Sequence, residues 1–320
     1  MVEVNGLTKY YGAYAAIEDV TFRVEPGEIL GFLGPNAAGK TTTMRIITGF
    51  MPPTAGTATV DGFDITGDSV AARRRLGYLP EQVPLYEDMS VREYLAFCAR
   101  VRGVGRSSVP ASVDRAMAST RITEYADSLI FKLSKGYRQR VGIAQALVHE
   151  PAVLILDEPT VGLDPRQIIE VRELIKGLRG DHTVILSTHI LPEVQMVCDR
   201  VVIISDGTIV AIDTPEALTA RIQQTQQVRI EVRGPEMPLL EALKGLPGVQ
   251  EVSAERVEDG VFRCLIVSDR SQDLREGAAA LVIQRGWGLR ELGTMALSLE
   301  DVYMRLTSEA PVDEPHGEDR

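Results

Sequence analysis

Short apolar runs without strict alternation recur along this chain. They cover residues 29–33, 153–156 and 183–188, and residues 201–210 form a fourth apolar stretch with a turn at its centre. Runs of this kind are typical of strands buried on both faces of a parallel sheet, and the fourth is typical of a hairpin. Segments with helical spacing of apolar residues lie between the runs. The pattern therefore predicts an α/β fold.

Other patterns predict two smaller parts of the same domain. Residues 2–4 and 20–24 alternate apolar and polar positions, and residues 52–66 have the pattern of a further strand pair. We expect these strands to form an antiparallel β subdomain. Residues 90–130 are richer in helix formers, and the segment 90–93 fits the capping box that begins a helix. This part of the chain predicts a helical subdomain.

The composition shifts to glutamine at residues 223–227, which we take as a domain boundary. The expected domains are residues 1–222, an accessory domain at 223–307 and an acidic disordered tail at 308–320. The accessory domain has the pattern βαββαβ, which suggests a ferredoxin-like split βαβ fold. Its predicted strands are 228–233, 249–257, 261–267 and 287–292, and its helices are 236–244 and 271–285, followed by a last helix at 298–307.

The amino-acid composition limits the classes of function that this protein could have. The chain has 320 residues, 44% of them hydrophobic, and a formal net charge of −11. An acidic balance argues against a nucleic-acid partner, which requires a basic surface. There is no run of eighteen apolar residues, and the N-terminus lacks the basic and apolar regions of a signal peptide. Cys98, Cys198 and Cys264 have no metal or redox spacing, so we expect small buried thiols in a reducing cytosol.

A phosphate-binding motif directly follows the first apolar run. Residues 34–41 fit the pattern G-x-x-x-x-G-K-[ST] and lie between a predicted strand and a predicted helix. In that context backbone N–H groups and the helix N-terminus favour a bound anion. Lys40 would add a point charge for the β- and γ-phosphates, and Thr41 would offer its hydroxyl to Mg²⁺. The alternative is a chance match in a glycine-rich turn, which the flanking elements make improbable.

Chemically active side chains follow two other apolar runs. Asp157 and Glu158 end the run at 153–156, where ligands bind in α/β sheets. Asp157 could hold Mg²⁺, and Glu158 could orient or deprotonate an attacking water. His189 lies just past the strand at 183–188, and Tyr11 precedes the phosphate motif as a candidate base-stacking ring. Taken alone, the tyrosine is better explained as a ring at the end of a strand that packs on the core.

The ordered set of motifs resembles the ATP-binding subunit of an ABC transporter over residues 2–220. The amino-acid sequence of the segment 133–141 and the presence of a C-terminal domain are similar to the exporter branch, which serves type-2 export permeases. In chain order the matching residues are the aromatic Tyr11; the P-loop Gly34, Pro35, Asn36, Ala37, Ala38, Gly39, Lys40, Thr41 and Thr42; the Q-loop pair Glu81 and Gln82; the signature residues Ser134 and Gly136; the carboxylates Asp157 and Glu158; the D-loop Asp164; and the switch His189.

The resemblance implies a mechanism with ATP and Mg²⁺ as cofactors. Two copies, or one copy and a paralogous ATPase, would meet head to tail with ATP between them. The P-loop of one copy and Ser134 and Gly136 of the other would hold the nucleotide. Glu158 would act on the water, His189 would contact the γ-phosphate, and Asp164 would link the two sites.

Three positions depart from the family pattern. Ala37 replaces a glycine, so a positive φ there would cost about 1 kcal/mol or more. Lys135 and Tyr137 replace the usual signature residues, as in the exporter branch, so we expect activity to persist. Glu81 occupies the position of the Q-loop glutamine, with Gln82 beside it, and either could sense the metal and the water.

The leading hypothesis is an ATPase that powers a membrane exporter from the cytoplasmic side of the cell membrane. Its permease would be a separate multi-span chain that docks near residues 81–97. The alternatives are a soluble ABC ATPase that acts on a ribosome, nucleic acid or protein assembly, and a regulatory module with weak turnover. The accessory domain could brace the dimer, contact the permease, sense a ligand or only stabilise the chain.

Overall fold

The computed structural model describes residues 1–222, 225–269 and 274–295. Backbone contacts divide these residues into two compact units, with the division at Pro215. The strands are β1 (Val2–Tyr11), β2 (Tyr14–Val24), β3 (Ile29–Leu33), β4 (Ala55–Val60), β5 (Phe63–Asp64), β6 (Leu76–Leu79), β7 (Val153–Asp157), β8 (Thr183–Thr188), β9 (Arg200–Ser205), β10 (Thr208–Asp213), β11 (Thr225–Arg233), β12 (Val249–Glu258), β13 (Val261–Asp269) and β14 (Gly288–Met295). The helices are α1 (Lys40–Ile47), α2 (Ser69–Arg74), α3 (Val91–Val101), α4 (Val109–Ser119), α5 (Lys135–Leu147), α6 (Pro165–Lys176), α7 (Leu191–Val197), α8 (Pro215–Ile222), α9 (Glu236–Lys244) and α10 (Arg275–Gln284).

The central sheet of the first unit has the strand order β10-β9-β3-β8-β7-β6. All neighbouring pairs are parallel except β9 and β10, which form the predicted hairpin. Strands β3, β7 and β8 are buried along their whole length, because the unbroken apolar runs have no polar face to present to water. The carboxyl ends of β3, β6, β7 and β8 therefore meet at one edge, where α/β proteins bind ligands.

Two further parts of the first unit match the expected subdomains. An antiparallel sheet has the order β2-β1-β4-β5. The helices α3, α4 and α5 enclose a separate apolar core that includes Leu95, Met117 and Val141. Helix α3 begins with the predicted capping box, in which Ser90 and Glu93 each accept a backbone N–H of the other.

Two glycines allow helix α5 to lie directly against the sheet. A Cβ atom on Gly77 of β6 would lie 2.1 Å from the carbonyl oxygen of Ala146 on α5. A Cβ atom on Gly142 of α5 would lie 2.6 Å from Val83 and 2.7 Å from Leu79. Because neither position has room for a side chain, α5 packs closely on β6 and on the segment that follows it.

The second unit has the βαββαβ order that the sequence predicts. Its sheet is antiparallel with the order β12-β13-β11-β14, as in a ferredoxin-like fold. Helices α9 and α10 cover one face, where Leu239, Leu243 and Val282 pack on Ile230 and Ile266. The predicted helix at 298–307 and the acidic tail at 308–320 lie outside the described residues.

The predictions about the cysteines and about the start of helix α4 are only partly correct. Cys198 and Cys264 are buried as expected, whereas Cys98 on α3 is half-buried. Helix α4 begins at Val109, four residues before the predicted helical stretch, with a proline in its first turn where no N–H partner is needed. Across the described ranges, no helix has both the length and the apolar character that a membrane span requires.

Candidate functional site

The phosphate motif forms the expected loop between β3 and α1. Gly39 precedes the helix with φ 103°. A Cβ atom there would lie 2.5 Å from Ile17 and 2.7 Å from the carbonyl oxygen of Ala16, so only glycine fits. Ala37 has φ 68°, which means that the loop holds an alanine in the left-handed region. The strain that we expected at this substitution is therefore present.

We expect Ala37→Gly to raise the stability of the nucleotide-free protein or leave it unchanged. Glycine removes the steric cost of φ 68° at this position. Glycine also makes the unfolded chain more flexible, which favours unfolding, so the free energy of unfolding should rise by about 1 kcal/mol at most. Urea denaturation measures the change. A loss of 1 kcal/mol or more would show that the alanine methyl group makes packing contacts that outweigh the strain.

Lys40 is satisfied by the loop itself. The side chain is only 6% exposed, and Nζ donates to the carbonyl oxygens of Gly34 at 2.7 Å and Pro35 at 3.1 Å. Nζ also lies 3.4 Å from Oε1 of Glu158. A buried ammonium group requires such partners when no phosphate is present. The same cation is therefore available for an anionic ligand that enters the loop.

Glu158 lies at the centre of the site. It follows β7 with φ 49°, and its backbone N–H lies 3.1 Å from both the carbonyl oxygen and Oγ of Ser187. Its second carboxylate oxygen, Oε2, lies 2.9 Å from Nδ1 of His189. Glu158 therefore contacts both the predicted lysine and the predicted histidine. A strained backbone held by neighbouring bonds is a common feature of functional sites.

Asp157 is fully buried beside this group. Its Oδ1 accepts a hydrogen bond from Oγ of Ser187, while Oδ2 is buried without a donor from the described residues. Burial raises the pKa of the Asp157 carboxyl, and the hydrogen bond from Ser187 and the nearby hydroxyl of Thr41 oppose the increase. An unpaired buried carboxylate oxygen close to a threonine hydroxyl fits a hard cation such as Mg²⁺, which takes oxygen ligands.

Asp157→Asn is expected to stabilise the nucleotide-free protein at neutral pH. Since the pKa of Asp157 is raised on folding, ionisation of this carboxyl favours the unfolded state as the pH rises. The amide has no charge to desolvate, so the midpoint of thermal unfolding should rise at pH 7, and the gain should shrink toward pH ~4. The affinity of this site for Mg²⁺ should fall at least ~10-fold. A lower midpoint at pH 7 would contradict this expectation.

A cleft of about 520 Å³ opens over these groups. Its lining includes Tyr11, Pro35, Asn36, Ala37, Gly39, Lys40, Thr41, Thr42, Glu81, Glu158 and His189 from the predicted set, together with Tyr14 and Val161. Gln82 does not line this cleft and faces a neighbouring pocket that Glu81, Thr41 and Asp157 also line. Tyr11 and Tyr14 are both exposed, so either ring could stack on a base.

The predicted signature residues lie apart from this cleft. Ser134 caps α5, where Oγ accepts the backbone N–H of Tyr137 at 3.5 Å, and Gly136 lies against the side chain of Gln167. Neither residue lines the cleft that holds Lys40. Asp164 caps α6, because Oδ1 accepts the backbone N–H groups of Arg166 and Gln167 at 3.0 Å. Ser134, Gly136 and Asp164 therefore do not line the cleft over the phosphate loop of their own chain.

Sequence patterns did not identify every residue at the site. Ser187 bonds both Asp157 and Glu158, and its only signal was a hydroxyl within an apolar strand next to the carboxylates in the sheet. Tyr14 lies on β2 and gave no signal beyond its aromatic ring. Both positions depend on how separate strands come together.

Comparison with known proteins identifies the class. The sequence model for "ABC transporter" matches residues 17–161. The chain is 35% identical to the "Nod factor export ATP-binding protein I" of Paraburkholderia xenovorans (strain LB400), covering 96% of both chains. It is 32% identical to the "Linearmycin resistance ATP-binding protein LnrL" of Bacillus subtilis (strain 168), covering 81% of this chain and 83% of that protein.

A solved structure gives the same answer for the fold. The structure titled "Structure of ATP binding subunit of ABC transporter" superposes with a TM-score of 0.63 at 32% identity, covering 69% of this chain and 92% of that one. The chain belongs to the ATP-binding proteins of the ABC transporter family. It is accordingly an ATPase. The cleft over Lys40 and Glu158 is the candidate nucleotide site.

Proposed function

We propose that this chain hydrolyses ATP to power a membrane exporter whose permease is a separate polypeptide. The observation that carries the proposal is the contact of Lys40, Glu158 and His189 beneath one cleft. The names of the two relatives, one for Nod factor export and one for linearmycin resistance, favour export as the process that ATP drives. The cargo would be chosen by the permease.

Each residue of the cleft has a chemical role in this proposal. Lys40 and the loop N–H groups bind the β- and γ-phosphates, which replace the carbonyl oxygens that Lys40 now contacts. Glu158 accepts the proton of the attacking water, and His189 holds Glu158 in place and faces the γ-phosphate. Mg²⁺, held by Thr41 and Asp157, would neutralise charge that develops on the phosphates. Tyr11 would stack on the base.

The distribution of the signature residues supports a dimer. Ser134 and Gly136 begin α5 outside the cleft of their own chain, so they need a second ATPase copy to meet a nucleotide. In a head-to-tail pair, the N–H groups at the start of α5 would face the γ-phosphate of the partner's site. Asp164, at the start of α6, would then lie between the two sites.

The segment after β6 is the candidate contact with the permease. Glu81 lines the nucleotide cleft together with Lys40 and Thr41, so we assign to Glu81 the role of sensing the metal and the attacking water. The exposed aromatic side chains of the same unit include Phe50 at 73% and Tyr86 at 52%. Exposed rings of this size are a common feature of docking surfaces. Docking there would place the chain on the inner face of the membrane.

The domain boundary and the role of the second unit also belong to the proposal. We place the ATP-binding domain at residues 1–222 and propose that the following domain braces the ATPase dimer. Truncation of the chain near residue 224 should then weaken ATP-dependent dimerisation, measured by light scattering of the Glu158→Gln protein. Unchanged dimerisation and ATPase activity after the truncation would refute this role.

A pull-down tests the export proposal. The Glu158→Gln variant, tagged and extracted from native membranes in mild detergent with Mg-ATP, should bring down a multi-span protein in stoichiometric amount. A variant that also carries Lys40→Ala serves as the control, because it should not form the ATP-bound state. Recovery in the soluble fraction with ribosomes, nucleic acid or another soluble assembly would refute the exporter function and favour that alternative.

A further inference from the structure

A buried carboxylate lies behind the nucleotide cleft without lining it. Glu193 is in the first turn of α7, and only 1% of its surface is exposed. The cleft over Lys40 has no contribution from this side chain. Burial of a carboxylate is costly unless donors surround it, and a group retained at such a cost needs an explanation.

Three donors from three different segments surround Glu193. Oγ1 of Thr160 donates to Oε1, and Oγ1 of Thr188 donates to Oε2 at 2.7 Å. A guanidinium nitrogen of Arg172 on α6 lies 3.4 Å from Oε1. Both threonines are themselves almost fully buried. The carboxylate therefore links chain segments that are distant in sequence.

The two threonines are attached directly to the reactive residues. Thr160 lies two positions after Glu158, and Thr188 immediately precedes His189. Oγ1 of Thr188 also accepts the backbone N–H of Ile190 at 3.0 Å, which fixes the turn that carries the histidine. Glu193 thus adds a buried link between the loop of Glu158 and the loop of His189, beside the contacts that Ser187 makes with Asp157 and Glu158.

We infer that Glu193 is a positioning residue for ATP hydrolysis. It keeps the two loops in the arrangement in which Oε2 of Glu158 and Nδ1 of His189 lie 2.9 Å apart. This inference rests on the proposed roles of Glu158 and His189. A misplacement of about 1 Å at a catalytic group can cost ~10²-fold in rate. Loss of Glu193 therefore lowers kcat, while the phosphate loop, which it does not touch, still binds ATP.

Three substitutions test the inference at increasing severity. Thr160→Val and Thr188→Val each remove one hydroxyl with little change of shape, and Glu193→Ala removes both links. We expect kcat to fall ~3–10-fold for each threonine variant and ~10–100-fold for Glu193→Ala, with the KM for ATP within ~2-fold of the parent. Glu193→Gln keeps the shape and can re-pair with both hydroxyls, so it should recover most of kcat.

Thr183→Val is the matched control. Thr183 is a buried threonine on the same strand β8, but it accepts the N–H of Gly27 at the opposite end of that strand. This variant should lose stability without loss of kcat, assayed well below its unfolding midpoint. If kcat of Thr160→Val and Thr188→Val falls no more than that of Thr183→Val, Glu193 has only a structural role and the inference is wrong.

A double-mutant cycle separates this inference from the proposed function. In the Glu158→Gln background, Glu193→Ala should lower single-turnover hydrolysis less than ~3-fold further, because the group to be positioned is absent. If the two substitutions together lower the rate by the product of their separate effects, Glu193 does not act through Glu158 and the inference is wrong. If Glu158→Gln alone leaves kcat unchanged, the assigned role of Glu158 fails instead.

Discussion

Glu158→Gln is expected to lower kcat by ~10²–10⁴-fold, which is the usual contribution of a general base. The same change should tighten ATP binding. In the nucleotide-free protein Oε1 of Glu158 lies 3.4 Å from Nζ of Lys40 and competes with the phosphates for that cation. The carboxylate also repels the γ-phosphate once ATP has entered. An amide removes both penalties without a change of shape.

Two measurements check this pair of effects. Phosphate release under saturating Mg-ATP gives kcat, and equilibrium titration with a fluorescent ATP analogue gives the affinity. Glu173→Gln is the control, because Glu173 is an exposed acid that pairs with Lys176 on the surface of α6. It should leave both quantities unchanged. Weaker ATP binding by Glu158→Gln would show that the contact with Lys40 organises the loop and does not compete with the nucleotide.

Gly39→Ala is expected to abolish ATP binding and to destabilise the first unit. The backbone has φ 103°, and the added Cβ atom would lie 2.5 Å from Ile17 and 2.7 Å from the carbonyl oxygen of Ala16. Since one of these neighbours is backbone, the loop must shift and its N–H groups lose their common direction. Strain and overpacking together should cost about 2–5 kcal/mol.

Gly180→Ala separates strain from steric overlap. Gly180 has φ 86°, but a Cβ atom there has no neighbour within 4 Å. Urea denaturation of this variant should show about 1–2 kcal/mol of backbone strain alone, and ATP binding should be unchanged. If Gly39→Ala costs no more than Gly180→Ala and still binds ATP, the loop has a second conformation that accommodates the methyl group.

Sequence patterns predicted the elements better than the contacts between them. The unbroken apolar runs correctly predicted β3, β7 and β8, because burial on both faces requires such runs. The P-loop, the carboxylates at 157 and 158 and the histidine at 189 were recognisable because each follows a predicted strand. The shared carboxyl edge of the sheet then brings them together.

What the sequence did not predict depends on contacts across the fold. The bonds from Lys40 to its own loop follow from the loop conformation and from the position of Glu158. Nothing in the sequence indicated that Glu193 is buried. An acidic residue in the first turn of a helix is usually explained by its favourable interaction with the helix dipole at an exposed N-terminus. Only the approach of Thr160, Thr188 and Arg172 from three segments explains its burial.

The close packing of α5 on β6 has a mechanical consequence. Because Gly77 and Gly142 let α5 pack directly on β6 and on the segment after it, we expect the helix that begins after Ser134 and the strand that leads to Glu81 to move together. A displacement imposed on the segment after β6 should therefore tilt the start of α5 by a matching amount. Hydrogen exchange should show both backbones responding together when ATP is added, and independent responses would show a hinge between them.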